Sequence, residues 1–285
     1  VKASPSIQKC LFPVAGYGTR FLPVTKSIPK EMLPIVNKPL VQYGVEEAMA
    51  AGFTDIGFVT GRGKRAIAEY FDFSHELEHE IQGTDREKNL HDVNKIIESC
   101  RFSFTHQLAM KGLGHAVLSG QVLMGEHPFG VVLADDLCIS ESQGVLSQLK
   151  DIFCQHACSV VAVEEVPETE AHKFGIVVGE EIEKGIIRVH DMVEKPAAKE
   201  IASRLAIIGR YILTPDIFDI LKTLPPGRDG EVQLTDALRQ QAQQGQVLAL
   251  RFQGQRFDCG SLDGFVAATD HVYKELCRNR QAGVA

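Results

Sequence analysis

The sequence predicts an α/β protein, with a mostly parallel sheet covered by helices on both faces. Short apolar runs alternate with helical patterns through the first half of the chain. The intervals are long enough for right-handed crossovers, and a glycine turn directly follows the first run. The first strand is expected at 10–15, followed by strands at 55–60 (DIGFVT), 101–106 (RFSFTH) and 129–134 (FGVVLA). Helical patterns lie between them, near 39–51, 64–72 and 113–125. The stretch 74–100 is charge-rich and reads as a helical excursion from the sheet rather than a linker. From 158 onward strands crowd together, at 158–166, 174–179, 186–193 and 206–213. Two amphipathic segments follow near 216–224 and 231–244, then a strand at 247–253 and a C-terminal helix over 261–285. With no internal repeat and no low-complexity region, one domain over 1–285 is expected.

Composition narrows the function classes. A net charge of −7 argues against a nucleic-acid binder or an anionic-membrane binder, while leaving room for a local basic pocket. Seven cysteines, scattered and without a CxxC pair, are expected to be reduced and mostly buried. No signal peptide heads the sequence and no apolar run approaches the roughly 20 residues needed to span a bilayer. A cytoplasmic protein is the expectation.

Residues 11–34, LFPVAGYGTRFLPVTKSIPKEMLP, carry the densest chemistry. A strand running into Ala15, Gly16, Tyr17 and Gly18 lets backbone N–H groups approach an anion closely. Arg20 adds a guanidinium fork and Lys30 a point charge at the same place, a combination that suits a polyphosphate. On its own, Gly16-Tyr17-Gly18 is equally an ordinary tight turn, because neither a full GxGxxG nor a GxxxxGK[ST] loop is present.

Asp135 and Asp136 end the apolar run VVLADD. Adjacent carboxylates at a strand end are either a solvated turn or a site for a hard cation such as Mg²⁺, which favours carboxylate oxygen. Asp258, in RFDCGS, could supply a second carboxylate. Glu194-Lys195-Pro196 ends MVEKP, where proline stops the strand. The pair reads either as a solvated surface pair or as a carboxylate for sugar hydroxyls beside a lysine for phosphate. Gln107 closes a strand shortly before KGLGHAVL opens a helix. Its amide, both donor and acceptor, matches a nucleobase edge but also suits a polar loop. His75-Glu76-Leu77-Glu78-His79 is a literal HExxH. Its acidic, polar surroundings favour a solvated helix face over a zinc site.

Gly-x-Gly-Thr-Arg with Lys-Glu-Met-Leu-Pro ten residues on is the first of a series of blocks. VTGRGKRAIAEYF, KGLGHAVL, VVLADDL, FGIV, MVEKP, GEVQLTDAL and RFDCGS follow in order along nearly the whole chain. Together they resemble the sugar-nucleotide pyrophosphorylases, a nucleotidyltransferase family, and within it the bacterial members that make UDP-glucose from UTP and glucose 1-phosphate with release of pyrophosphate. The resemblance implies a glycosyltransferase-A-like (Rossmann-like) three-layer sandwich with a mixed, mostly parallel central sheet, a Mg²⁺ cofactor and a homodimer or homotetramer. Carried over by position, Ala15, Gly16 and Gly18 would cradle the nucleotide, and Glu31, Gln107 and Gly112 would contact the uracil and its ribose. Arg20 and Lys30 would grip the triphosphate. Asp135 and Asp258 would hold Mg²⁺, with Asp136 assisting the bound nucleotide. Glu194 and the backbone at Gly175 would hold the glucosyl hydroxyls, and Lys195 the sugar phosphate. The alternatives are the same chemistry on dTTP or another sugar 1-phosphate, and a weakly active regulatory paralogue. Val14, Tyr17 and Leu108-Ala109-Met110 depart from the family's commoner residues without removing a catalytic group.

Overall fold

The computed structural model describes residues 7–227 and 230–281. The chain opens with β1 (Lys9–Pro13), passes through short 3-10 turns, and forms the small hairpin β2 (Pro34–Ile35) and β3 (Lys38–Pro39). There follow α1 (Leu40–Ala50), β4 (Asp55–Thr60), α2 (Arg65–Tyr70), α3 (His75–Ile81), α4 (His91–Ser99) and β5 (Arg101–His106). Next come α5 (Leu113–Ser119), α6 (Gln121–Met124), β6 (Phe129–Val132), β7 (Asp136–Ile139), α7 (Val145–His156) and β8 (Ser159–Glu165). The last elements are β9 (Gly175–Glu183), β10 (Ile186–Glu194), β11 (Leu205–Leu213), α8 (Ile217–Thr223), α9 (Leu234–Gln243), β12 (Val247–Arg251), β13 (Gln255–Asp258) and α10 (Leu262–Gln281). The end of the helix expected over 261–285 lies outside the described residues.

Nine strands form one sheet in the order β5-β4-β1-β6-β11-β8-β12-β10-β9. Strand β1 shows why the apolar runs become central strands. Cys10, Leu11 and Phe12 are all fully buried. Cys10 and Phe12 join a core containing Val45 of α1 and Leu149 of α7. Leu11 joins a second core with Val117 of α5, Phe218 of α8 and Leu238 of α9. A strand covered on both faces needs apolar residues at consecutive positions, which is how these runs read. The result is three layers, helix–sheet–helix.

The expectation of a mostly parallel sheet requires correction. Strands β5, β4, β1 and β6 are parallel. Beyond β6 only β12–β8 is parallel among the described residues; β11 runs antiparallel to β6, β8 and β9, and β10 antiparallel to β9 and β12. Connection length accounts for one of these pairings. Strands β9 and β10 are joined by a two-residue turn, and a hairpin forces antiparallel pairing, whereas the helical crossovers of the first half permit parallel pairing. A mixed sheet results.

Two further differences bear on the site. The run VVLADD is not one strand: β6 ends at Val132, the chain turns, and Asp136 starts β7. Strand β7 pairs with β13 in a separate two-stranded ribbon, with Asp258 opposite Asp136. The ribbon rests on α10 through a small core that includes Leu137, Phe257, Ala268 and Val272. The excursion at 74–100 is helical, as α3 and α4. Helix α3, which carries the HExxH residues, buries none of its side chains, while α4 buries Val93 and Ile96.

Candidate active site

The glycine turn leaves the sheet where Val14 N donates to Val59 O at 2.9 Å, at the carboxyl ends of the parallel strands. Ligands collect beyond such strand ends in open α/β sheets. Ala15 is buried and Gly16 exposed. Gly18 takes φ +67°, with the Lys30 Cβ only 3.0 Å from where its own Cβ would stand. A side chain there would be strained in backbone and crowded in space. The chain then turns through Arg20, whose Nη1 donates to Gly260 O at 3.1 Å, and reaches Lys30.

Lys30 Nζ lies 2.6 Å from Asp135 Oδ2. Burial by itself would push the Asp135 carboxyl up and the Lys30 ammonium down. Their mutual attraction overrides it, holding Asp135 below the usual carboxylate range and Lys30 above its ordinary value. Asp258 sits beside them, its Oδ1 accepting from Gly260 N at 3.0 Å. A Cβ on Gly260 would lie 3.0 Å from Asp258 Oδ1, 3.1 Å from Asp135 Oδ2 and 3.3 Å from Arg20 Nη1. Two carboxylates and a guanidinium therefore converge on one point.

Adjacent Asp136 is held differently. It borders the cleft, but its Oδ2 accepts from Gly209 N at 2.7 Å and its Oδ1 from Arg256 Nε at 2.7 Å. Both carboxylate oxygens are engaged inside the protein, and burial raises its pKa even against the charge of Arg256. Asp136 is a buried fixture of the ribbon rather than a free ligand.

Beneath it lies a residue that sequence reasoning missed. Arg210, on β11, is 1% exposed. Its guanidinium donates to Glu47 Oε2 at 2.8 and 2.9 Å, to Leu133 O at 3.2 Å, to Gly209 O at 3.0 Å and to Asp136 O at 2.9 Å. It thereby ties both ends of the turn that presents Asp135. The available signal was a lone cation inside the apolar strand AIIGRYIL, since such charges are rarely buried without partners.

Across the cleft, Glu194 stands opposite Gly175 in the β9–β10 register. Its Oε2 accepts from Thr235 Oγ1 at 2.7 Å. Lys195 follows at φ +44°, half exposed, with Nζ 4.0 Å from Glu194 Oε1. Gln107, at the end of β5, is buried and its Nε2 donates to Gly112 O at 3.2 Å. Gly112, at φ +90°, lies so close to Glu231 and Val232 that a Cβ would come within 2.8 Å of each.

Glu31 is 1% exposed and paired with Lys64 at 2.6 Å. Burial pushes the Glu31 carboxyl up and the Lys64 ammonium down, each toward its neutral form. Glu31 lines neither cavity of the site, and its Oε2 is engaged by Lys64. Truncation of one partner leaves a buried charge, so Lys64→Met is expected to lower the unfolding free energy by about 3–5 kcal/mol. Because the orphaned Glu31 binds a proton more readily folded than unfolded, the loss should shrink as pH falls toward about 5. Urea unfolding at two pH values measures this.

One cleft of about 1000 Å³ gathers Arg20, Lys30, Asp135, Asp136, Gly175, Glu194, Lys195 and Asp258. Gly18 joins Arg20, Lys30 and Asp135 in a recess of about 170 Å³ alongside. Ala15, Gly16, Glu31, Gln107 and Gly112 line neither, although Leu113 and Glu231, next to Gly112, do border the cleft.

A cleft that sets Arg20, Lys30 and Lys195, with Lys173 and Arg256, among carboxylates in a three-layer α/β fold suits a class of proteins that handle phosphorylated ligands. The nucleotidyl transferase family matches residues 13–275, and the chain belongs to that family. It is 57% identical over 277 residues to a UTP–glucose-1-phosphate uridylyltransferase of Pseudomonas aeruginosa, covering 97% of this chain and 99% of the relative. Among solved structures it is similar to an apo UDP-glucose pyrophosphorylase, with a TM-score of 0.92 and 55% identity over 95% of this chain and 99% of the other. A UDP-glucose pyrophosphorylase complexed with UDP-glucose matches with a TM-score of 0.89 and 52% identity, over 95% of this chain and all (100%) of the other.

Proposed function

We infer that this chain transfers the uridylyl group of UTP to α-D-glucose 1-phosphate, giving UDP-glucose and pyrophosphate. The observation that carries the reading is the single cleft with Arg20, Lys30 and Asp135 at one end and Glu194 with Lys195 at the other. It has the charge for a triphosphate and hydrogen-bonding groups for a sugar phosphate. The names of the relatives specify the substrates.

The chemistry follows from charge. A phosphate oxygen of glucose 1-phosphate attacks the α-phosphorus of UTP. A new P–O bond forms as the bond to the bridging oxygen of the β-phosphate breaks, and pyrophosphate leaves with that electron pair. The nucleophile is already anionic at neutral pH, so no general base is assigned. The barrier is the approach of two polyanions. Arg20 and Lys30 offset the triphosphate, and Lys195 the sugar phosphate, while Glu194 positions the glucosyl hydroxyls. Preorganised cations of this kind each contribute on the order of 3–4 kcal/mol to phosphoryl transfer.

The donor set at Asp135 and Asp258 fits a hard divalent cation, which takes carboxylate oxygens and completes its shell with water and phosphate. Among the described residues no cluster of three or more metal-ligating side chains occurs, consistent with an ion that depends on substrate oxygens. These two aspartates would hold Mg²⁺, which when bound supplies charge neutralisation to phosphate oxygens. Gly18, with the exposed backbone at Gly16, forms the nucleotide side, and Gln107 the base end. The same reading carries a cytoplasmic homodimer or homotetramer. Exposed Leu262, Val266 and Tyr273 on α10 offer apolar surface for assembly, and light scattering measures its size.

The test is pyrophosphate release from UTP plus glucose 1-phosphate, with Mg²⁺ or EDTA and with a parallel dTTP arm. Release that requires UTP, sugar phosphate and Mg²⁺ supports the reading; release with dTTP but not with UTP, or no release with either nucleotide, overturns it. Lys195→Ala is expected to raise the KM for glucose 1-phosphate at least about ten-fold while leaving the KM for UTP nearly unchanged, as steady-state kinetics would show.

A further inference from the structure

The base end of the site holds a side-chain pair that the reaction does not use directly. Gln107 Nε2 contacts two groups, Gly112 O at 3.2 Å and His115 Nδ1 at 3.0 Å. Gly112 O is the first carbonyl of α5 and already accepts from Ala116 N at 3.1 Å. A carbonyl can only accept, so the Gln107 atom facing it is the amide nitrogen. The second amide proton then points to His115 Nδ1, which must be a bare acceptor, and the ring proton belongs on Nε2. Burial, then the charge of Lys111, keeps the His115 pKa below the usual imidazole value, consistent with a neutral ring.

Both amide protons of Gln107 are thus spent within the protein. Its Oε1 has no protein partner among the described residues, yet no buried side-chain oxygen or nitrogen there lacks one. Oε1 therefore keeps some exposure although Gln107 is only 6% exposed, and it offers only lone pairs. A pyrimidine met by such a group must present a donor. Uracil presents N3–H, whereas cytosine presents a bare nitrogen lone pair at the same ring position.

We propose that His115 is a positioning residue for nucleobase specificity: with Gly112 O it locks the Gln107 amide so that the site offers an acceptor to uracil N3–H and repels cytosine N3. This rests on the uridylyl-transfer reading above and extends it to a pair, Gln107 and His115, that does not line the cleft but flanks Gly112, whose neighbours Leu113 and Glu231 border it. A site built around a fixed acceptor rejects the analogue that lacks the donor, because a buried polar group is then left unpaired. Released from His115, the amide keeps one tie instead of two, the bond to Gly112 O, so turning its nitrogen outward toward cytosine N3 costs less than in the intact pair.

The experiment compares kcat and KM for UTP and CTP, each with saturating glucose 1-phosphate, in the wild type, His115→Phe and His115→Asn. Phenylalanine keeps the ring and loses the acceptor, while asparagine keeps an acceptor on Cγ, where histidine carries Nδ1. His115→Phe is expected to lower the UTP-to-CTP ratio of kcat/KM roughly ten-fold, the worth of one neutral hydrogen bond. The change should appear mainly in the KM for UTP, with the KM for glucose 1-phosphate unaltered. His115→Asn should restore most of the ratio, which a purely structural role for the imidazole would not produce. An active wild type whose ratio survives His115→Phe, or equal losses in the two variants, overturns this inference alone. A wild type inert with UTP overturns the uridylyl-transfer reading and this inference with it.

Discussion

Asp135→Ala is expected to lower kcat/KM for pyrophosphate release by about 10³-fold or more while leaving the protein folded. The substitution removes one of the two carboxylates that converge at Gly260 and deprives Lys30 of its partner at 2.6 Å. Because the Asp135 side chain is 30% exposed, the stability cost is that of a partly solvated ion pair, within about 1 kcal/mol. Asp135→Asn keeps the shape and removes the charge, so it should be nearly as inactive. A pyrophosphate-release assay with Mg²⁺ titration, beside thermal unfolding, separates the two effects. Activity within about ten-fold of the wild type in either variant would remove Asp135 from the cation site.

Arg210→Met is expected to cost far more stability than Asp135→Ala. Its guanidinium serves Glu47 and three carbonyls at once, so its removal leaves a buried carboxylate without its cation and frees the turn that presents Asp135. Breaking a buried ion pair by removing one partner costs about 3–5 kcal/mol. For a chain of this size that corresponds to a fall in Tm of about 10 °C. Arg210→Lys should rescue little, since an ammonium cannot reproduce the forked donation. Differential scanning calorimetry of both variants tests this. A Tm within two or three degrees of the wild type would show that the network carries little of the fold.

The strands and helices of the first half were legible because each is a long, two-faced or one-faced apolar pattern with helical connections. The direction of the strands past residue 158 was not legible, because the crowding of strands there shows neither their order nor which of them pair; only β9 and β10 are joined tightly enough to fix a hairpin. The ribbon β7–β13 escaped because DLCI and QRFD are four residues each, with charges that belong to a network and not to a surface. The cleft residues Arg20, Lys30, Asp135, Glu194, Lys195 and Asp258 were all named from sequence, because charged groups at the ends of apolar runs stand out. Those that support them were not. Asp136 and Glu31 look identical to functional carboxylates in a sequence. Their sequestration depends on Arg256 and Lys64, partners brought together only by the fold. His115 was invisible for a related reason, since its part depends on which atom of Gln107 it faces.

The ribbon that brings Asp258 beside Asp135 also sets an order of events. Asp135, Arg20 and Lys30 belong to the first half of the chain, while Asp258 arrives on a strand held by α10, the last described element. During synthesis the glycine turn and the central strands can fold well before that helix leaves the ribosome. The paired carboxylates exist only once the C-terminal segment has docked. A nascent chain can therefore hold much of the fold without completing the site, and the docking of α10 on the ribbon acts as the final part in its assembly.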